Sequence, residues 1–331
     1  MRGYFVVGGA GFIGSHIVDR LMADDGTAAL TIYDNFSSGR DWHVARHRED
    51  RRFTLVRADV QELPRLATAM TGHDTVIHLA DAPDTARSAG EGAAAALADS
   101  LALTRNILEA MRATGATLLL YASSDAVYGE LGAREAREDQ SPTMPTTAMG
   151  AGKLASEALI SAYAHGHGMI GRAFRVTEVV GPRQTHGIAY DIVRRLLADP
   201  VELSVTQNGS RSVSFIHVHD VADAMVGVAQ RAWSAAEGEV YRAYNLASAD
   251  HITVREVVEL AMQACDVRLD ASHIRFETGA GRTRAGTSVQ LGTGLIRATG
   301  WICRHSSHAA VSAGMQGLIE EVRAGLIEPA R

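Results

Sequence analysis

The sequence predicts an α/β fold, a parallel sheet covered by helices on both faces, with a smaller second lobe. Three observations predict it. Short β-rich runs alternate with longer helical patterns through the first half, and a glycine-rich turn joins the first such run to the first helix. After Gly181-Pro182 the rhythm changes to shorter, more polar segments, which suggests the smaller lobe.

Taken in order, Tyr4 to Val7 reads as the first strand and Phe12 to Met22 as a helix with apolar spacing. Ala29 to Tyr33, Phe53 to Val56 and Thr75 to Leu79 follow as strands. Leu97 to Ala113 is a long amphipathic helix and Thr117 to Tyr121 a buried strand. Ala151 to Ala164 is helical again, and the run from Met169 to Val176 returns to strand. There is no internal repeat, low-complexity tract or long linker.

With 331 residues, 46% of them hydrophobic, the chain can bury a full core in one large or two modest domains. Its 32 basic and 38 acidic residues give a net charge of -6, which argues against nucleic acid as a main partner. Cys265 and Cys303 form no CxxC pair and are expected to be reduced, mostly buried thiols. The first residues run straight into a strand and a glycine turn, unlike a signal peptide, and no apolar run approaches the roughly 18 residues of a membrane span. A soluble cytoplasmic protein without a membrane partner is expected.

One composition detail singles out a site. Lys153 is the only lysine, and the other 31 of the 32 basic residues are arginine. An ammonium is compact, has rotatable donors and shifts its pKa readily, so a lone lysine at a helix start marks a candidate for chemistry.

Gly8-Gly-Ala-Gly11-Phe-Ile-Gly14 follows a strand and opens a helix, as a dinucleotide turn must. Glycines there permit a tight turn and close backbone approach to a pyrophosphate, which the helix N-terminus favours electrostatically. The spacing is GxxGxxG. Asp34 stands 20 residues after Gly14, just past the second strand. An acid there accepts from both ribose hydroxyls and repels a 2′-phosphate, so NAD is favoured over NADP, though Arg40 follows closely. Asp59 and Val60, after the third strand, are placed to approach the adenine; a turn cap is the alternative role for Asp59.

These features, with Tyr33 to Arg40, His78-Leu-Ala80, Ser123 to Gly129, Lys153 to Glu157, Gly181 to Gln184, Phe215 to Asp220, Tyr244 to Leu246 and Gly300-Trp301, resemble the extended short-chain dehydrogenase/reductases, specifically the NAD-dependent nucleotide-sugar epimerase/dehydratase family. The resemblance covers nearly the whole chain. It implies a Rossmann-type doubly wound NAD domain (1–180 plus about 212–248) and a smaller C-terminal substrate lobe (about 181–211 and 249–331). It also implies a homodimer joined by two helices per subunit, with Leu97 to Ala113 and Met149 to Ala164 as candidates. Cofactor contacts fall on Gly8, Gly11, Phe12, Ile13, Gly14, Asp34, Asn35, Ser38, Arg40, Asp59, Val60, Leu79, Ala80 and Lys153. The substrate implied is a UDP- or dTDP-linked sugar.

In that family a serine or threonine after the fifth strand, a tyrosine, and a lysine four residues beyond it carry out a transient oxidation of the sugar. Ser124 matches the hydroxyl and Lys153 the lysine, but Met149 occupies the tyrosine position. A thioether cannot move that proton, and losing a positioned base typically costs roughly 10²- to 10⁴-fold in rate. Asp125 or Tyr128 is the candidate replacement. Asp125 matches the aspartate of dTDP-glucose-type dehydratases, while their neighbouring glutamate is Ala126 here. Inverting 4,6-dehydratases also resemble this chain in having methionine before Gly-Ala-x-Lys. An NAD- and ligand-binding protein without turnover, or an NAD enzyme on a divergent substrate, are the alternatives.

Further departures touch the substrate lobe. Glu178 stands where the family has asparagine, and Val213 where it has a phosphate-gripping arginine, with Arg211 two residues away as a substitute. Arg284 keeps the second phosphate position. Arg87, Ser88 and His186 are expected to line the sugar pocket. No metal site is expected. His165 and His167 read as helix-end residues, His217 and His219 as one face of a strand, and Trp233 and Trp301 as packing residues.

Overall fold

The computed structural model describes residues 1–81, 92–132, 134–231, 233, 239–276 and 289–328. In chain order its strands are β1 (Arg2–Val7), β2 (Thr27–Asp34), β3 (Phe53–Arg57), β4 (Thr75–His78), β5 (Leu118–Ser124), β6 (Glu135–Ala136), β7 (Ile170–Val176), β8 (Glu178–Val180), β9 (Leu203–Val205), β10 (Ser212–Val213), β11 (Phe215–His217) and β12 (Tyr241–Leu246). Three short strands follow, β13 (Ile252–Thr253), β14 (Ile274–Phe276) and β15 (Gln290–Leu291). The helices are α1 (Phe12–Met22), α2 (Asp41–Val44), α3 (Leu63–Met70), α4 (Gly92–Thr114), α5 (Ala148–His167), α6 (Ile188–Ala198), α7 (Val218–Ala229), α8 (Val254–Cys265), α9 (Gly294–Arg297) and α10 (Ser307–Arg323).

Seven strands form one sheet in the order β12-β7-β5-β4-β1-β2-β3, and every pairing in it is parallel. Parallel strands need crossover helices, and these cover both faces. The alternation along β1 shows how. Tyr4 and Val6 join Ile17, Val18 and Leu21 of α1 and Val221 and Met225 of α7 in one apolar layer. Phe5 and Val7 point the other way, into a layer with Leu66 of α3, Ile107 and Met111 of α4 and Ile160 of α5.

Chain order reverses at β1: β2 and β3 lie to one side, β4 and β5 to the other. Ligands of such sheets bind at this switch point, beyond the C-terminal strand ends. A separate apolar cluster unites α6, α8 and α10 through Ile192, Val193, Leu196, Val257, Val258, Val311, Met315 and Leu318. The Phe215–Asp220 run differs from the sequence expectation. β11 ends at His217, whose ring accepts from the His219 backbone N–H and caps α7, so His219 lies in a helix rather than beside His217 on a strand. Among the described residues no helix is long and apolar enough to cross a membrane, and no cluster of three or more metal-ligating side chains occurs.

Candidate active site

The glycine turn sits at the C-terminal end of β1. Gly8 has φ +81°, and a Cβ there would lie 2.7 Å from the Ala80 nitrogen; at Gly14 it would lie 2.3 Å from the Gly8 carbonyl oxygen. Only glycine keeps this cradle open. The α1 N-cap, Gly11, has no side-chain capping bond, so the helix N-terminus offers its N–H groups to a ligand. Asp34 closes the far side. Its carboxylate accepts from the Ala10 N–H at 2.9 Å and the Phe36 N–H at 2.8 Å, which ties the strand end to the glycine turn and leaves further lone pairs for ribose hydroxyls. Burial raises its pKa, partly offset by those two bonds.

The neighbouring positions follow the same arrangement. Asn35 donates to Asp59 at 2.9 Å, and Asp59 also accepts from the Gln61 N–H, the turn-cap role of the alternative reading. Val60 is buried, Ser38 and Arg40 are exposed, and the Arg57 guanidinium lies 4.3 Å over the Phe36 ring. Leu79 and Ala80 lie past β4, with both N–H groups bonded to the Val7 carbonyl. Phe12 and Ile13 begin α1 and pack inward. These residues fit a dinucleotide.

Ser124 ends β5, and its register partner on β7 is Val176, two residues before Glu178. The Ser124 hydroxyl donates to Asp125 at 3.1 Å and accepts from the Ala126 N–H. Burial raises the Asp125 carboxyl above its ordinary range, against the Ser124 bond and the Arg211 charge, which lower it. Glu178 opens onto solvent at the start of β8, yet the protein around it, and then Asp125, raise its carboxyl too, with Arg211 opposing. The Arg211 charge thus acts on both carboxyls, while its guanidinium donates to Gln207 at 2.8 Å; Val213 itself is buried.

Thr147 caps α5 by accepting from the Gly150 N–H, and the helix that follows carries the remaining groups. Met149, in its first turn, is 46% exposed. Lys153, one turn on, is 8% exposed. Its ammonium donates to the Ala122 carbonyl at 2.8 Å and meets the Asp81 carboxylate at 2.9 Å. Burial works against that charge, but the Tyr121 oxygen and Asp81 outweigh it and hold the ammonium above its ordinary pKa. Asp81 has no counterpart in the sequence expectations. It lies just beyond the His78-Leu-Ala80 run, and only folding brings it to Lys153.

Tyr128 requires a correction. It is 2% exposed, and its hydroxyl donates to Asn245 at 2.7 Å while accepting from Arg175 at 2.8 Å. Arg175 makes a two-pronged, buried ion pair with Glu157, which also accepts from Ser123 and Tyr241. Tyr128 is thus buried with its hydroxyl engaged by Asn245 and Arg175, which makes it a member of a structural network. His186 is exposed beyond β8, with its ring 3.2 Å from the Thr185 hydroxyl. Arg87, Ser88 and Arg284 lie outside the described residues. His165 bonds the Ser161 carbonyl in the last turn of α5, Trp233 stacks on Arg172, and Trp301 donates to the Asp220 carbonyl.

The chain is similar to known proteins. A dTDP-glucose 4,6-dehydratase of Actinoplanes sp. is 30% identical over 279 residues, 82% of this chain and 84% of the relative. A UDP-glucose 4-epimerase of Corynebacterium glutamicum is 30% identical over 274 residues, 78% of this chain and 79% of the relative. The crystal structure of a Thermus thermophilus UDP-glucose 4-epimerase with NAD superimposes with a TM-score of 0.80 at 25% identity, covering 96% of this chain and 98% of the other. Residues 4–247 match the NAD dependent epimerase/dehydratase family. The chain belongs to that family.

Proposed function

We propose that this protein is an NAD-dependent epimerase or dehydratase of a UDP- or dTDP-linked sugar, working through a transient keto-sugar without the usual tyrosine. The carrying observation is the hydrogen-bonded Ser124–Asp125 pair at the end of β5, the strand to which Lys153 is anchored through the Ala122 carbonyl, with an exposed Met149 one helical turn before Lys153. NAD supplies a reversible two-electron acceptor when bound. Gly8, Gly11, Gly14 and Asp34 hold its adenosine and pyrophosphate side, and Lys153 its other ribose. Ser124 orients the reacting hydroxyl, and Asp125 takes and returns the proton. Burial raises that carboxyl, which makes it a stronger base than an exposed aspartate. Arg211 faces the diphosphate, and Glu178 and His186 face the sugar.

In this reading residues 1–180 and about 212–248 carry the cofactor, and about 181–211 and 249–331 carry the substrate. α4 and α5 pack side by side and pair with their copies in a homodimer. The two names among its relatives, a dehydratase and an epimerase, support the substrate class. Met149 favours one second reading, a protein that binds NAD and a sugar nucleotide without turnover. Incubation with UDP- and dTDP-sugars followed by product analysis separates the two. Formation of an epimer or a 4-keto-6-deoxy product supports the enzyme, and bound but unchanged sugar nucleotide supports the binding protein.

A further inference from the structure

A dinucleotide crossing the sheet at the Gly8–Gly14 turn sets one nucleoside over β2 and β3, where Asp34 stands, and the other over the ends of β4 and β5. Two opposite charges stand at those ends. Lys153 is anchored to β5 through the Ala122 carbonyl, and Asp81, just past β4, meets its ammonium at 2.9 Å. The Ser100 hydroxyl of α4 donates to the other Asp81 oxygen at 3.4 Å and braces it. Exposure within the pair is unequal: the Lys153 side chain retains 10% and the Asp81 side chain 38%. The carboxylate is therefore the more accessible partner, at the end of β4, beside a largely covered ammonium. An ammonium only donates and a carboxylate only accepts, while each hydroxyl of a ribose diol does both. A donor and an acceptor side by side match such a diol better than either charge alone.

We propose that Asp81 is a cofactor-binding residue, accepting a hydrogen bond from one hydroxyl of the nicotinamide-side ribose while Lys153 donates to the other. The inference takes NAD in this crevice as given and is independent of what reaction follows.

Calorimetric titration of the parent, Asp81→Asn and Asp81→Ala with NAD, ADP-ribose and ADP tests it, with thermal melts to confirm that each variant is folded. ADP-ribose retains the second ribose and ADP lacks it. NAD and ADP-ribose should both bind roughly tenfold more weakly to the alanine variant, the scale of a charged hydrogen bond, with a smaller loss for asparagine. ADP should bind all three proteins alike. Unchanged or tighter NAD binding by the variants would overturn the assignment. An equal loss for ADP would overturn it too, since Asp81 would then act on the fold as a whole. A parent that binds none of the three ligands would refute the NAD reading itself, and the Asp81 assignment with it.

Discussion

Tyr128 and Asp125 are neighbours in sequence, and removing one group from each should produce opposite defects. Tyr128→Phe deletes a hydroxyl that donates to Asn245 at 2.7 Å and accepts from Arg175 at 2.8 Å. The Asn245 side-chain oxygen then loses its Tyr128 donor, while Arg175 keeps its buried ion pair with Glu157. A buried acceptor left unpaired costs about 1–3 kcal/mol, so stability should fall by about 2 kcal/mol. The reacting groups are untouched, so turnover per folded molecule should stay within about twofold of the parent, because no group that moves a proton is lost. Asp125→Asn should do the reverse. It keeps an acceptor near Ser124, leaves stability within about 1 kcal/mol, and cuts turnover by roughly 10²- to 10⁴-fold. Urea unfolding paired with sugar-nucleotide turnover measures both quantities on the same preparations. A Tyr128→Phe protein as stable as the parent but as inactive as Asp125→Asn would refute the separation of structural from chemical roles.

Three further outcomes are expected. Asp34→Asn should narrow the preference for NAD over NADP in binding titrations, because it removes the charge facing a 2′-phosphate while retaining an acceptor for the Ala10 or Phe36 N–H. Tighter binding of NADP than NAD by the unmodified protein would contradict the role of Asp34. Lys153→Arg should lose most NAD affinity and turnover despite keeping its charge, since a planar fork does not fit the space between the Ala122 carbonyl, Asp81 and the Tyr121 ring 5.1 Å away; normal binding would make the lone lysine incidental. Burial, with the neighbouring His219 and His305 rings, lowers His217 from 6.5 to about 4. The unfolded chain therefore takes up that proton first as pH falls, and between pH 6.5 and about 4 the parent should lose stability relative to His217→Asn by up to about 1.4 kcal/mol per pH unit. Paired urea midpoints across that range should converge as pH falls, and a constant gap would exclude His217 as the titrating group.

The sheet was legible in the sequence because its strands are short apolar runs separated by helices of a different period. The glycine turn was legible because only glycine tolerates the approach of Ala80 and the tight turn at Gly14. Asp34 followed from its spacing to the glycine turn and Lys153 from being the chain's one lysine, whereas Ser124 came with the family resemblance. What escaped depends on long-range partners. Tyr128 looked available because Arg175 and Glu157, which immobilise its surroundings, come from β7 and α5. The alternation Ile216-His217-Val218-His219 read as a strand, but His217 caps a helix, and a cap interrupts the two-residue period without changing composition. Asp81 carried no signal of its own. Its significance arises when α5 brings the chain's one lysine against the end of β4.

The central claim is that a sugar carbon is oxidised by bound NAD in a site whose proton-transfer tyrosine is replaced by Met149. UDP- and dTDP-sugars deuterated at the carbon to be oxidised, mixed with stoichiometric protein and NAD and quenched within the first turnover, test it by mass spectrometry of the reduced cofactor, before the deuteride returns to the sugar. Deuterium should pass to the cofactor from at least one sugar nucleotide, and transfer should collapse with Asp125→Asn while persisting with Tyr128→Phe. Saturating sugar nucleotide with no deuterium on the cofactor, followed by transfer once Met149→Tyr is introduced, would contradict the account and leave a protein that binds both ligands without reaction.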